Sequence, residues 1–282
     1  MYEKVNPQHP DKVADRIAGA LVDLAYKKSE SPKIAVEVLL GHGEATVMIE
    51  TSENITSEEV DYIVSRIGGI QKTNSVIVPQ DVHLAQNQSQ ELRCGDNGIF
   101  KGCVETSEQK KLTDIAHNIY DMYYHDGKYV IDASSSNVDV TICQSNMPES
   151  DNLKVFSMIA NEFGVTKANI NPLGEWDGGI DVDCGATNRK LGSDMGDAVT
   201  GGGLMGKDLS KADVSVNIVC HLLAQELWCT IYAKCSIGDE KVTFTYNGGS
   251  IEMPYSEIVS KAKQYIDEIG GFEKFAEWGL IR

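Results

Sequence analysis

Hydrophobic positions along the chain fall into three long stretches in which a helical period gives way to alternation and then returns. Residues 10–26 place Val13, Ile17, Leu21 and Leu24 on one helical face. Pro10 stands at the first helical position, where its missing N–H costs nothing. Two apolar strands, 33–40 and 44–50, follow around Gly41-His42-Gly43, which reads as a hairpin. A helix over 57–68 starts from Thr56 and Glu59, spaced as a capping box. The middle of the chain repeats this order loosely: helix 109–124, strands 128–133 and 137–143, and a helix near 151–163. The last third gives helix 210–228, strands 229–237 and 241–246 about Gly238-Asp239, and helix 255–268. The pattern predicts an α+β protein of three similar helix–hairpin–helix units, at 1–88, 94–174 and 175–282, each covering one sheet face with helices. Sequence identity between the units is negligible, so the repeat is one of pattern alone.

Two polar stretches interrupt the periodic ones. Residues 79–98 carry several amides and little periodicity, as expected of a surface loop or a lid over a site. Residues 171–206 hold ten glycines in 36 positions, and so long a non-periodic stretch inside a compact protein points to function.

Composition narrows the classes. With 25 basic and 42 acidic side chains, the net charge of −17 argues against general nucleic-acid binding and against an anionic membrane surface. An anionic ligand would need a local basic cluster working against that field. No apolar run is long enough to span a bilayer and no signal-peptide core opens the chain, so a cytoplasmic protein is expected. The seven cysteines form no CxxC pair and read as reduced thiols.

The chemistry concentrates in a few segments. Gly201-Gly202-Gly203 lead into Gly206-Lys207-Asp208 and then Lys211 and Asp213, at the head of the helix that starts near 210. Glycines let backbone approach a ligand, lysines meet phosphate, carboxylates hold magnesium, and a helix N-terminus favours an anion. Gly201-x4-Gly206-Lys207 half matches a phosphate-binding P-loop, but Asp208 replaces the hydroxyl residue and no buried strand precedes the glycines. At the start of the first helix, His9-Pro10-Asp11-Lys12 place a cation where the helix end disfavours one, which suggests a bound anion. Asp183 and the Arg189-Lys190 pair add charge nearby in sequence. Glu37 interrupts Ile34–Leu40, a run suited to burial, so a partner such as a cation is expected for it.

Together these residues resemble the S-adenosylmethionine synthetase (methionine adenosyltransferase) family. His9-Pro10-Asp11-Lys12, Gly95-Asp96-Asn97-Gly98, the stretch 171–190 and the run 201–213 occur in the family's order. The resemblance implies three α+β parts with pseudo-threefold symmetry and the synthesis of S-adenosylmethionine from ATP and L-methionine. Sulfur would attack ribose C5′ and displace triphosphate, which is then hydrolysed to phosphate and diphosphate. It implies His9, Arg189, Lys190 and Lys207 as catalytic groups at the triphosphate, with Lys12, Asp132, Trp176 and Asp183 also contacting ATP. Glu50, Gln86, Asp96, Asp183, Lys211 and Ile237 would face methionine. Two Mg2+ ions would be held by Asp11 and Asp213, and K+ by Glu37. A homodimer with active sites between subunits is implied, alone or within a tetramer. Departures from the family pattern are Ser134 in place of a lysine after Asp132-Ala133, Pro7-Gln8 in place of Glu-Gly, and a shorter chain and lid. Two other readings fit part of these features. One is a nucleotide-binding or regulatory homologue without catalysis; the other is an unrelated phosphotransferase built on the imperfect P-loop.

Overall fold

A computed structural model describes residues 1–81, 87, 92–134 and 138–282. In chain order the elements are β1 (Tyr2–Val5), α1 (Pro10–Lys28), β2 (Ile34–Gly41), β3 (Glu44–Thr51), α2 (Ser57–Gly68), β4 (Lys72–Pro79) and β5 (Gly98–Gly102). Then come α3 (Ser107–Tyr123), β6 (Gly127–Asp132), β7 (Asp139–Gln144), α4 (Asn152–Phe163), β8 (Asn169–Ile170), β9 (Cys184–Ala186) and α5 (Leu191–Met195). The chain closes with α6 (Ala212–Leu227), β10 (Ile231–Cys235), β11 (Lys241–Tyr246), β12 (Gly249–Pro254), α7 (Tyr255–Ile269) and α8 (Phe272–Trp278).

The strands form three four-stranded sheets, in the orders β4-β3-β2-β9, β1-β6-β7-β8 and β12-β11-β10-β5. Each sheet takes in a strand from far along the chain. Strand β9 pairs antiparallel with β2, Leu39 opposite Ala186 and Gly41 opposite Cys184. Strand β1 pairs with β6, and β5 with β10. The third stretch carries a third strand, β12, on its hairpin, so its order is helix, three strands, helix.

Helix α1 lies at the centre of the largest core rather than on its edge. Val13, Ala14, Ile17, Ala18, Leu21, Val22 and Ala25 are all buried, so more than one face is covered. Small residues permit this: a Cβ on Gly19 would stand 2.6 Å from the Phe272 carbonyl oxygen at the start of α8. Strand β2 buries Ile34, Val36, Val38 and Leu40 against α1 and turns Glu37 and Leu39 outward. The capping box at Thr56 and Glu59 forms reciprocally and starts α2.

Candidate active site at the start of α1

The N-terminus of α1 is crossed by the chain that follows β9. A Cβ on Gly185 would lie 2.1 Å from the Pro10 carbonyl, so only glycine lets β9 pass this closely. His9 caps the helix: the Asp11 N–H donates to His9 Nδ1 at 3.2 Å. With Nδ1 accepting, the neutral ring carries its proton on Nε2. Burial first, and then the Lys190 ammonium, push the His9 pKa down to about 4, so the ring is neutral at pH 7. Asp11 accepts the Ala186 N–H at 2.9 Å and pairs with Lys190 at 2.9 Å, with Arg189 at 3.7 Å. Burial opposes ionisation of Asp11, but the Ala186 N–H and Lys190 outweigh it and hold the carboxyl below its usual range.

Lys12 does not face this cleft, contrary to its expected contact with ATP. Its ammonium is fully buried and bridges Asp194 at 2.7 Å and Asp15 at 3.1 Å. One turn into α1 the side chain points under the site, and the two carboxylates that neutralise it lie in the core. Burial pushes the Asp15 carboxyl up to about 6 despite Lys12. Asp15 also accepts the Asn188 N–H at 2.8 Å, so the buried cluster anchors the segment carrying Arg189 and Lys190.

The glycine-rich run lies on the same edge of β2 as β9. Gly206–Asp208 lie along the outer edge of β2, beside β9: the Val36 N–H donates to Gly206 O at 2.7 Å and the Asp208 N–H to Ile34 O at 3.1 Å. Gly206 has φ +80°, and a Cβ there would meet Val36 O at 2.4 Å. The segment is thus edge-strand backbone, which sets it apart from a P-loop. Lys207 reaches Asp213, in the first turn of α6, at 2.6 Å. A Cβ on Gly202 would fall 2.0 Å from Asp213 Oδ1, so the glycines wrap this carboxylate. Burial raises the Asp213 pKa, Lys207 lowers it, and neighbouring Asp96 raises it. The Gly95 N–H donates to Ser210 O at 3.0 Å, seating the Asp96 loop on this segment. Lys211 stands 3.7 Å from Asp208, whose carboxylate also accepts the Ile34 N–H.

Other expected residues lie elsewhere. Asp183 is exposed where the chain enters β9, and its charge acts on His9. Glu37 is not buried: it is an outward member of the β2 alternation and accepts the Thr187 hydroxyl. Glu50 shares that outward face, on β3. Asp132 is engaged by Ser134, which donates its N–H at 2.9 Å and its hydroxyl at 2.6 Å. The Trp176 indole donates to Asn171 at 3.2 Å. Ile237 is exposed and its N–H donates to Asn97 at 2.8 Å. Gln86 lies outside the described residues. One group was not legible beforehand: Asp126, buried before β6, accepts the Gly179 N–H at 3.1 Å and is pushed up to about 6, chiefly by burial. No periodicity marks it in the sequence.

Among the described residues no three His, Cys, Asp or Glu side chains gather as a ready ion site. Asp11 and Asp213 are single carboxylates already neutralised by Lys190 and Lys207. That donor set suits Mg2+ arriving with a polyphosphate, since this ion takes one or two carboxylates and completes its shell with phosphate and water.

Residues 1–89, which hold His9, Asp11, Glu37 and Glu50, match the family model for the S-adenosylmethionine synthetase N-terminal domain. The S-adenosylmethionine synthase of Desulfosudis oleivorans is 29% identical over 287 aligned residues, covering 82% of this chain and 74% of that protein. The chain is similar to S-adenosylmethionine synthetases over most of its length. The S-adenosylmethionine synthase of Maridesulfovibrio salexigens is 26% identical, over 94% of this chain and 84% of that one. The fold is similar to that of a solved structure described as an unusual S-adenosylmethionine synthetase from Campylobacter jejuni. Its TM-score is 0.74 at 18% identity, covering 99% of this chain and 94% of that chain. Among the described residues no helix is long and apolar enough to cross a membrane.

Proposed function

We propose that this chain is an S-adenosylmethionine synthetase and catalyses attack of methionine sulfur on ribose C5′ of ATP, with triphosphate as the leaving group. The observation that carries the reading is two sets of paired opposite charges carried by segments on the same edge of β2: Arg189 and Lys190 on Asp11 beside a neutral His9, and Lys207 on Asp213. As the C5′–O bond breaks, negative charge gathers on the departing triphosphate. The three cations stabilise it where it develops, and each such fixed group is worth roughly 10²–10³ in rate. His9, holding its proton on Nε2, donates to the oxygen that leaves C5′. Lys190 and Lys207 exchange their carboxylate partners for phosphate oxygens, which frees Asp11 and Asp213 for two Mg2+ ions. Bound Mg2+ neutralises and orients the phosphate oxygens. At the other end sulfur becomes a sulfonium, which Asp96 and Asp183 favour. The same cations then hold triphosphate while water hydrolyses it.

Methionine contacts at Glu50, Gln86, Lys211 and Ile237, adenine stacking on Trp176, and K+ at Glu37 complete the proposal. Leu39, Met48, Val76 and Val78 are exposed on the outward face of β2, β3 and β4, beside Glu37 and Glu50. That face supports a homodimer in which Glu50 serves a site shared between subunits. Three four-stranded sheets support a pseudo-threefold arrangement of the segments 1–88, 94–174 and 175–282. Seven free thiols support a cytoplasmic setting.

Purified protein incubated with ATP, methionine, Mg2+ and K+ should yield S-adenosylmethionine with phosphate and diphosphate. Absence of S-adenosylmethionine under every metal condition sinks the proposal. One observation favours a second reading, a nucleotide-binding homologue without turnover: Ser134 occupies Asp132 where the family pattern has a lysine. That reading predicts ATP binding with no product.

A further inference from the structure

A row of buried polar side chains connects Trp176 to the turn that caps α1. Asn6, Tyr129, Gln144 and Asn171 are all buried, while Trp176 at the end of the row is exposed. The Trp176 indole N–H donates to Asn171 Oδ1 at 3.2 Å. The same oxygen accepts the Gln144 N–H at 2.8 Å, and Asn171 Nδ2 donates to Gln144 O at 2.9 Å. This amide therefore pairs with Gln144 as strand backbone would, just beyond the parallel pairing of β7 with β8. Asn171 does so from φ +40°, a left-handed conformation that asparagine tolerates better than most residues.

The row continues through Gln144 to the cap. Gln144 Oε1 accepts the Tyr129 hydroxyl at 2.6 Å, and that hydroxyl accepts from Asn6 Nδ2 at 3.0 Å. Asn6 in turn accepts the Gln8 N–H on Oδ1 and the His9 N–H on its carbonyl, both at 3.1 Å. A Cβ on Gly127 would stand 2.3 Å from the Tyr129 hydroxyl, 2.5 Å from Gln144 Oε1 and 2.7 Å from Asn6 Nδ2, so glycine leaves the room in which the three meet. Moving any member leaves a buried polar atom unpaired, so the row holds its two ends in one arrangement.

We infer that Tyr129 is a positioning residue whose hydroxyl joins the Trp176–Asn171–Gln144 half of the row to the Asn6–His9 half, setting the span between the ring that stacks adenine and the histidine that meets the oxygen leaving C5′. The inference rests on the roles proposed for Trp176 and His9. A ligand held at both ends outbinds one held at a single end only while the span fits, and a misfit removes that gain without weakening either contact.

The test compares ATP with ribose 5-triphosphate, which keeps the leaving end and lacks the base. Tyr129→Phe keeps the ring and deletes the hydroxyl. Asn171→Gly keeps the left-handed backbone and releases the indole; Asn171→Asp keeps the acceptor for it. Affinities are measured on the full chain by calorimetry, with Mg2+ and without methionine, per folded molecule. In Tyr129→Phe and Asn171→Gly, ATP should bind roughly tenfold more weakly while ribose 5-triphosphate binds as in the wild type. The loss in Asn171→Asp should be smaller. In turnover assays KM for ATP should rise while KM for methionine stays at the wild-type value. A residue that only holds the fold together would lower the unfolding temperature and leave the ratio of the two affinities unchanged. An unchanged ratio in Tyr129→Phe therefore overturns the inference, even where S-adenosylmethionine is made. If the wild type makes no S-adenosylmethionine, the reaction proposed above fails, and the ratio still decides the role of Tyr129. A wild type that binds ATP no better than ribose 5-triphosphate overturns the inference outright.

Discussion

Replacing Lys12 by Met probes the cluster beneath the site. The substitution keeps most of the side-chain volume, so packing changes little and the electrostatic effect dominates. Asp194 and Asp15, at 2.7 and 3.1 Å and fully buried, lose the cation that bridges them. A surface pair in the same geometry would be worth about 0–1 kcal/mol. Removing one partner of a buried pair costs roughly 3–5 kcal/mol, because an uncompensated charge is left behind. The expected loss is therefore a large part of the roughly 5–15 kcal/mol that holds a typical protein folded. The pH dependence follows from Asp15, whose carboxyl is pushed up to about 6 when folded, against an ordinary value of 3.8. A raised folded pKa means that the favourable contribution is complete below the unfolded value and is lost as pH rises through the folded one. Without Lys12, which opposes that rise, the loss on raising pH is larger. Urea unfolding at pH 5 and pH 8 should show Lys12→Met less stable at both and the gap wider at pH 8. A gap under about 1 kcal/mol would refute the argument from buried charge, and a gap that does not grow with pH would refute the part assigned to Asp15.

Three further outcomes are expected. Lys207→Ala should lower turnover by roughly 10²–10³ with the unfolding transition in place, and unchanged turnover would remove Lys207 from the triphosphate. The His9 ring should titrate near 4 by NMR; with its folded pKa depressed, it contributes stability that is present above about pH 6.5 and is lost as pH falls toward 4. A His9 midpoint above 6 would contradict its burial beside Lys190. Chelating Mg2+ should abolish turnover yet leave the unfolding temperature unchanged, because Lys190 and Lys207 already neutralise Asp11 and Asp213; a marked drop on chelation would show that the metal is part of the fold.

Local elements were legible because their signals are local. The helix expected over 10–26 is Pro10–Lys28, and the strands expected at 33–40 and 44–50 are Ile34–Gly41 and Glu44–Thr51. Strands β1, β4, β5, β8, β9 and β12 carry no strand signal in the sequence reading. The four-residue β1 shows its partner only in the fold, 123 residues or more away in β6. The alternation of β2 was read as a buried run because Leu39 is apolar, yet Leu39 is 58% exposed. At the site, charge and spacing single out His9, Asp11, Arg189, Lys190, Lys207 and Asp213; the structure gathers the first four at the start of α1 and pairs the last two at the start of α6. Lys12 misled because a cation at a helix start resembles an anion contact, while Asp15 and Asp194, which explain it, are 3 and 182 residues away. Asp126 carries no pattern of its own; its role comes from the Gly179 N–H, brought to it by the chain before β9.

The central claim is that the cleft breaks the bond between C5′ and its oxygen, with the triphosphate leaving whole. ATP carrying oxygen-18 at the 5′-bridging position tests this directly by mass spectrometry. The account predicts the label in the released phosphate and diphosphate, and none in S-adenosylmethionine. Label retained in a nucleoside product, with transfer of a phosphoryl group, would contradict it.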